Sequence, residues 1–245
     1  MNVPGSDKYL SNLFSSIRGA ARRTLAALLP AECFLCGAEG DFDVLCSACV
    51  AALPRWHAAS ACPVCALPDT GGRCCARCVG TPPAFDATIA LFDYAFPIDR
   101  LVHALKYQAA LDLAGWLGGR LAASAGDGWD TLLAVPLHRD RLRERGFNQS
   151  LELARPLAKS GALSIHRQVL RRRATPSQAG LAAPARRRNL RAAFKVDMDL
   201  AGRRVLAVDD VMTTGATLDA LATALKGAGA DRVVNLVVAR TPPAA

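Results

Sequence analysis

The sequence predicts an α/β fold in which a parallel sheet flanked by helices follows a small cysteine-rich module. Two observations lead to this prediction. All nine cysteines lie within residues 33–78, and strand-like and helix-like segments alternate after residue 84. The chain of 245 residues is 51% hydrophobic, which is enough for a packed core. We expect an amphipathic helix in residues 1–30, the cysteine module in residues 31–80 and the α/β domain in residues 84–242.

The clustered cysteines form one spacing pattern that occurs twice. Each copy reads C-x2-C-x9-C-x2-C, and the second copy is displaced from the first by 29 residues at every cysteine. Two residues between cysteines let both thiolates reach one ion from a tight turn, and two such turns complete a tetrahedral shell. The pattern therefore predicts two structural Zn2+ sites with these ligands: Cys33, Cys36, Cys46, Cys49, Cys62, Cys65, Cys75 and Cys78.

Two questions about these cysteines stay open at the level of the sequence. The four turns can pair in sequence order or in an interleaved order around the two ions. Cys74 lies outside the repeat and could compete with Cys75 as a ligand. Disulfide bonds are the alternative, but they form in an oxidising compartment, and we expect the thiols of this chain to stay reduced.

The N-terminal segment carries apolar residues at every third or fourth position from Leu10 to Leu28. This spacing predicts an amphipathic helix that docks on the rest of the protein, and a helix at a membrane surface is the alternative. Arg18, Arg22 and Arg23 interrupt any signal-peptide core. No apolar run reaches the ~20 residues that span a bilayer, so we expect a cytoplasmic protein without a transmembrane segment.

The positive charge is concentrated in one part of the chain. Residues 138–191 contain 14 Arg and Lys against 3 Asp and Glu, a local net charge of +11, whereas the whole chain carries +9. Such a band favours an anionic partner, either phosphate groups or nucleic acid. A solvated arginine-rich surface is the alternative interpretation.

Strand and helix patterns alternate through the second part of the chain, which predicts a parallel sheet. We expect strands at 88–94, 131–137, 203–211 and 232–240, with a further strand within 164–172. We expect helices at 98–108, 111–124, 150–160 and 216–227. Ligands bind such sheets where the strands end and the helices begin.

The stretch "VLAVDDVMTTGAT" places two acids at the carboxyl end of a buried strand, directly before a loop and a helix. Free N–H groups at a helix N-terminus bind phosphate, and glycine lets the backbone approach a ligand closely. We expect Thr213, Thr214, Gly215, Ala216 and Thr217 to form this phosphate site. Asp209 and Asp210 would accept hydrogen bonds from a sugar diol or help to hold hydrated Mg2+.

Three other interpretations of this stretch fit less well. The chain has no G-x-x-x-x-G-K-[ST] motif, which argues against a P-loop ATPase. It has no G-x-G-x-x-G motif, which argues against a dinucleotide-binding fold. A simple helix N-cap needs one hydroxyl group and would not require the paired acids.

The stretch resembles the phosphoribosyl pyrophosphate (PRPP) signature of type I phosphoribosyltransferases. Together with "VPLHRDRLRERGFNQS", "RRRATPSQAG", "RRRNLRAAF", "LKY" and the double cysteine repeat, it resembles the ComF/GntX family. The resemblance implies a type I phosphoribosyltransferase-like sheet and an association with DNA uptake and natural competence. It covers nearly the whole chain.

The resemblance also implies roles for individual residues. Asp209 and Asp210 would bind the ribose hydroxyls of PRPP, residues 213–217 would enclose its 5′-phosphate, and Mg2+ would accompany it. The remaining PRPP ligands would lie near the pyrophosphate, and they are Lys106, Tyr107, Arg139, Arg141 and Arg145. The catalytic residues would be Asp209, Asp210 and Lys106.

The implied reaction is Mg2+-dependent displacement of pyrophosphate from PRPP by an acceptor that the sequence does not identify. Purine-salvage relatives often carry an acid where this chain has Thr213, which argues against a hypoxanthine- or guanine-type acceptor. The alternative function is non-enzymatic: a PRPP- or nucleotide-sensing module, or a single-stranded-DNA-binding module, of a DNA-uptake complex. The basic band fits this alternative, although few aromatic residues interrupt it.

Overall fold

The computed structural model describes residues 31–40, 42–159, 163–166, 169–171 and 193–242. The helix predicted in residues 1–30 lies outside the described residues. The chain divides into two compact units between Ala52 and Leu53. None of the described helices is long and apolar enough to cross a membrane.

The first unit contains a short hairpin, a helix and the first cysteine tetrad. Strands β1 (Ala31–Glu32) and β2 (Glu39–Gly40) pair in antiparallel orientation, and helix α1 spans Ser47–Ala51. Four sulfur atoms lie within 4.8 Å of one another, those of Cys33, Cys36, Cys46 and Cys49.

The second unit contains the second tetrad, which is built in the same way. Its sulfur atoms also lie within 4.8 Å of one another, and helix α2 (Ala76–Gly80) follows its third cysteine. The cysteines therefore pair in sequence order and are not interleaved. Cys74 is exposed and lies outside the tetrad, which consists of Cys62, Cys65, Cys75 and Cys78.

Equivalent backbone turns shape the two copies. The N–H group of Gly37 donates to the Cys33 carbonyl at 2.8 Å, and the N–H group of Ala66 donates to the Cys62 carbonyl at 2.9 Å. Gly37 and Ala66 both have positive φ, 70° and 56°. Glycine adopts this conformation freely and alanine rarely does, so the turn at Ala66 is imposed by its surroundings.

The sulfur positions fit zinc ions. Around a Zn2+ ion with Zn–S bonds of about 2.3 Å, the corners of a tetrahedron are about 3.8 Å apart. The sulfur atoms of Cys36 and Cys46 are 3.8 Å apart, and those of Cys65 and Cys75 are 3.6 Å apart. The two tetrads therefore fit the predicted pair of all-thiolate, structural zinc sites.

Backbone groups also favour the thiolate form that a metal needs. The N–H group of Cys46 donates to Cys33 Sγ at 3.4 Å, and the N–H group of Cys75 donates to Cys62 Sγ at 3.4 Å. Burial raises the pKa of Cys33 and Cys62, but these and neighbouring N–H donors outweigh it and lower each pKa to about 6. The backbone thus favours the thiolate form of Cys33 and of Cys62, which is the form that binds metal.

A parallel sheet organises the second unit. In the described residues its strands are β3 (Ala87–Asp93), β4 (Thr131–Ala134), β5 (Ile165–His166), β6 (Val169–Arg171), β7 (Phe194–Val196), β8 (Arg204–Met212) and β9 (Arg232–Arg240). Five of them form the sheet in the order β3-β9-β8-β4-β5, with every neighbouring pair parallel. Consecutive residues Val205–Val208 of β8 are fully buried, so both faces of the sheet are covered there.

Five further helices of this unit, in the described residues, lie between its strands in sequence, and four of them were predicted. They are α3 (Ile98–Tyr107), α4 (Leu111–Ser124), α5 (Arg139–Arg145), α6 (Gln149–Lys159) and α7 (Ala216–Gly227). Gly118 lets α4 and α6 approach closely, because a β-carbon there would lie 2.6 Å from the Leu153 carbonyl oxygen.

The main differences from the sequence prediction lie between β4 and β7, and β7 itself was not predicted. Strand β4 ends at Ala134, not at residue 137, and the following arginine-rich stretch forms helix α5. Strand β9 and helix α7 have the predicted bounds. The strand predicted within 164–172 is two short strands: β5 joins the parallel sheet, and β6 pairs with β7 in a separate antiparallel ribbon.

The second cysteine tetrad is part of the hydrophobic core of the sheet unit. Cys62, Cys65 and Cys78 belong to the same cluster of buried residues as Met212 of β8 and Leu218 of α7. A backbone hydrogen bond also joins the segment before this tetrad to the sheet: the N–H group of Trp56 donates to the Leu91 carbonyl of β3 at 3.1 Å. Metal binding at this tetrad should therefore stabilise the sheet as well as the cysteine turns.

We predict two zinc ions per chain in the purified full-length protein. Cys33→Ser and Cys62→Ser should each lower the content to one, and the control Cys74→Ser should keep two. Cys62→Ser should also lower the melting temperature of the sheet unit, because structural zinc contributes about 10–16 kcal/mol against a total stability of about 5–15 kcal/mol. Elemental analysis and thermal unfolding check this. Two ions in Cys62→Ser, or well under one in the wild type, would contradict it.

Candidate functional site

A cleft of about 280 Å³ opens at the carboxyl ends of strands β4 and β8. The strands are neighbours in the sheet, and the N–H group of Val135 extends their pairing by donating to the Val208 carbonyl at 2.9 Å. The cleft is lined by Lys106, Tyr107, Val135, Leu137, His138, Arg141, Arg145, Gln149, Asp209, Asp210 and Thr217.

The two predicted acids face this cleft and are held by specific contacts. Asp209 Oδ1 accepts hydrogen bonds from the Ser150 hydroxyl at 2.8 Å and from the N–H group of Asp210 at 2.9 Å. Asp210 is 4% exposed, and its Oδ2 lies 3.2 Å from Lys106 Nζ. Its Oδ1 accepts from the N–H group of Val211 at 2.6 Å.

The electrostatics of the pair are unbalanced. Burial and the neighbouring charge of Asp210 raise the pKa of Asp209 to about 7, although Ser150, a backbone N–H group and Lys106 oppose this shift. A single ammonium group cannot fully neutralise two adjacent carboxylates. The uncompensated negative charge therefore favours binding of a further cation or of hydroxyl groups that donate hydrogen bonds.

The predicted phosphate loop lies between Met212 and helix α7. The N–H groups of Thr213, Thr214 and Gly215 donate no hydrogen bond to any other residue that the structure describes. Gly215 has φ of +75°, and a β-carbon there would lie 2.4 Å from Met212 Cε. Glycine is required at this position because the backbone is left-handed and the space is filled.

The rest of the loop begins helix α7. Thr214 Oγ1 accepts a long hydrogen bond from the N–H group of Ala216 at 3.4 Å, and Ala216 is the first helical residue. Thr217 follows it and lines the cleft. Thr213 and Thr214 are exposed, so their hydroxyl groups are open to a ligand.

Cationic side chains also line the cleft. Lys106 and Tyr107 come from the last turn of α3, and Arg141 and Arg145 come from α5. The guanidinium of Arg145 lies 5.2 Å from the centre of the Tyr107 ring. Arg139, the first residue of α5, is exposed and is not among the residues that line the cleft.

Sequence reasoning missed the residues that link α6 to the acids. Asn148 Nδ2 donates to the Val135 carbonyl at 3.1 Å, and Asn148 Oδ1 accepts from the N–H group of Ser150 at 3.0 Å. Gln149 lines the cleft and is 3% exposed. The motif "FNQS" was the available signal, because Asn is a preferred residue where a helix begins.

Comparison with known families identifies both parts of the chain. Residues 24–79 match the family described as "Double zinc ribbon domain". Residues 145–244 match the family described as "Phosphoribosyl transferase domain". These matches agree with the fold class predicted from the sequence.

Relatives with both parts are also found. The DNA utilization protein YhgH of Escherichia coli O157:H7 is 35% identical over 230 residues, which cover 87% of this chain and 98% of the relative. Competence protein F of Haemophilus influenzae is 29% identical over 171 residues, which cover 65% of this chain and 75% of the relative. Among solved structures, a purine phosphoribosyltransferase from Pyrococcus horikoshii matches 62% of this chain and 77% of its own, at 18% identity and a TM-score of 0.30.

The repeated cysteine tetrads, the parallel sheet with its paired acids, and the extent of the match to YhgH lead to one assignment. The chain belongs to the ComF/GntX family, whose members combine a double zinc ribbon with a phosphoribosyltransferase domain.

Proposed function

We propose that this protein binds PRPP with Mg2+ and transfers its phosphoribosyl group to an acceptor, with release of pyrophosphate. The observation that carries the proposal is that one cleft is lined by a buried acid pair, by several cationic side chains and by Thr217 in the first turn of α7. Each of these groups matches one part of PRPP. A purely structural sheet edge would have no use for the combination.

The acid pair would bind the ribose. The remaining acceptor sites of Asp209 and Asp210 suit the two ribose hydroxyls, which donate hydrogen bonds. Carboxylate oxygens are also the protein ligands that Mg2+ prefers, usually together with water and phosphate oxygens. When bound, Mg2+ would neutralise charge on the departing pyrophosphate.

The loop at residues 213–217 would bind the 5′-phosphate. Its free N–H groups and the positive end of α7 offer charge-assisted hydrogen bonds to phosphate oxygens. Gly215 allows the backbone to approach the ligand because it adds no side chain.

The cationic wall would bind the pyrophosphate. Arg141 and Arg145 can each offer several N–H donors to phosphate oxygens, and Lys106 lies beside the acid pair. As the bond from the ribose C1 carbon breaks, negative charge grows on pyrophosphate and positive charge on the sugar. Groups fixed on opposite sides of the sugar stabilise this separation of charge.

The relatives named after DNA utilization and competence support a role connected with DNA uptake. The basic band at residues 138–191 would serve a second candidate function, the binding of single-stranded DNA. Only part of the band lies in the described residues, and there Arg141 and Arg145 already line the cleft. The cleft therefore supports PRPP binding more directly. The zinc thiolates need reducing conditions, which supports a place in the cytoplasm.

We predict that isothermal titration calorimetry detects binding of PRPP in the presence of Mg2+. Asp209→Asn and Asp210→Asn should each weaken binding about 10- to 100-fold, because each removes a charge-assisted hydrogen bond of about 1.5–3 kcal/mol. Asp127→Asn is the matched control, since Asp127 is exposed and lies before the amino end of β4, whereas the cleft is at the carboxyl end of this strand. If titration of the wild type with PRPP and Mg2+ gives no heat of binding, the proposal is wrong.

We predict that the arginines of α5 separate into two groups. Arg141→Ala and Arg145→Ala should each weaken PRPP binding about tenfold and leave binding of ribose 5-phosphate unchanged, because only PRPP carries pyrophosphate. Arg139→Ala should affect neither ligand, because Arg139 does not line the cleft. Calorimetry with both ligands checks this. Equal losses for both ligands in Arg145→Ala would contradict the assignment of Arg145 to pyrophosphate.

We predict that PRPP affinity rises between pH 6 and pH 8. The pKa of Asp209 is raised to about 7, mainly by burial and by Asp210, and its ionised form accepts hydrogen bonds from the ribose more strongly than its protonated form. Binding should therefore release a proton near pH 7 and gain nothing further well above it. The phosphates of PRPP also titrate near pH 6, so Asp209→Asn is the reference. An identical pH profile in this variant would contradict the prediction.

A further inference from the structure

Arg240, the last residue of β9, is a buried arginine with an unusual set of partners. Its side chain is 4% exposed, and its pKa is lowered by burial. No carboxylate among the described residues forms a salt bridge with it. Burying a guanidinium without a carboxylate costs free energy, and its N–H groups must be satisfied in another way.

Backbone carbonyl groups provide the partners. Nε donates to the Cys65 carbonyl at 2.8 Å, and Nη1 donates to the carbonyls of Met212 at 3.1 Å and Thr213 at 2.7 Å. Nη1 also donates to the Thr241 carbonyl. One side chain thus joins a ligand residue of the second zinc site to the point where β8 becomes the phosphate loop.

Further contacts fix the same junction. Met212 packs in the hydrophobic cluster that contains Cys65, and its Cε occupies the space beside Gly215. On the other side, Nη2 of Arg77, from helix α2 of the second cysteine turn, lies 3.7 Å from where a β-carbon of Gly215 would be. Gly215 of the loop therefore lies close to Met212, which packs with the second cysteine tetrad, and to Arg77, which lies between two cysteines of that tetrad.

We propose that Arg240 is a positioning residue that couples the second zinc site to the phosphate loop, so that zinc and phosphate strengthen each other's binding. The inference rests on the proposed function, because it takes residues 213–217 as the phosphate site. Thermodynamic linkage makes the coupling reciprocal: whatever zinc adds to phosphate affinity, phosphate adds to zinc affinity. The second cysteine tetrad then contributes to phosphate binding as well as to folding.

The direct test measures linkage in the unaltered protein. Zinc affinity is measured by competition with a chromogenic chelator, with and without saturating ribose 5-phosphate, in constant Mg2+. The proposal predicts that ribose 5-phosphate raises the affinity for one of the two zinc ions about fivefold or more, within the usual range of coupling between sites. Equal zinc affinities in both conditions, with binding of ribose 5-phosphate seen by calorimetry, would overturn it.

Variants of β9 test whether Arg240 carries the coupling. Arg240→Met keeps much of the side-chain volume but donates no hydrogen bond, and Arg240→Lys keeps the charge but offers fewer donors to the four carbonyls. The matched control is Arg232→Met, at the exposed start of the same strand. We expect Arg240→Met to keep two zinc ions, to bind ribose 5-phosphate about tenfold more weakly and to lose the linkage. Arg240→Lys should keep part of the linkage. Arg232→Met should keep all of it.

The outcomes separate this inference from the proposed function. If the wild type binds ribose 5-phosphate and Arg240→Met binds it equally well with the linkage intact, the inference is wrong and the proposed function stands. If the wild type binds neither PRPP nor ribose 5-phosphate, both are wrong. If Arg240→Met does not fold, the linkage measured in the wild type still decides the question.

Discussion

The structure depends on one constraint: two adjacent carboxylates are held in a partly buried position at the end of the central strand β8. Asp210 is almost fully buried, and its one salt bridge among the described residues is to Lys106. Burial and the neighbouring Asp210 raise the pKa of Asp209 to about 7. Such an arrangement opposes folding unless other groups compensate for it. Ser150, the Asn148 cap and the backbone N–H groups of the strand provide part of this compensation, and a bound ligand would provide the rest.

The cysteine repeat provides a second level of organisation. Its two copies have the same spacing and the same turns, yet they have different environments. The first tetrad belongs to a small unit of its own, whereas the second is part of the core of the sheet unit and is linked through Arg240 to the loop that follows β8. The same sequence pattern thus has two uses. The first tetrad stabilises its own small unit, and the second supports the residues around the candidate binding site.

Much of this could be predicted from the sequence because the signals are local. Strand β9 is a nearly continuous run of apolar residues, and helix α7 lies between it and the loop that follows β8. The eight cysteine ligands followed from spacing, whereas their pairing into two tetrads did not. Helix α5 was missed as a helix because its one apolar residue, Leu142, is exposed and leaves no amphipathic pattern. Long-range contacts were beyond reach: no local pattern indicates that Arg240 meets Cys65, 175 residues away in sequence, or that Ser150 meets Asp209.

The central claim is that the paired acids and the loop beyond them hold the two ends of one sugar phosphate. A crystal structure of the protein with ribose 5-phosphate and Mg2+ tests it most directly. The account predicts the phosphate against the N–H groups of residues 213–217 and the ribose hydroxyls within hydrogen-bond distance of Asp209 and Asp210. A phosphate bound elsewhere, or a ribose that makes no contact with either carboxylate, would contradict it.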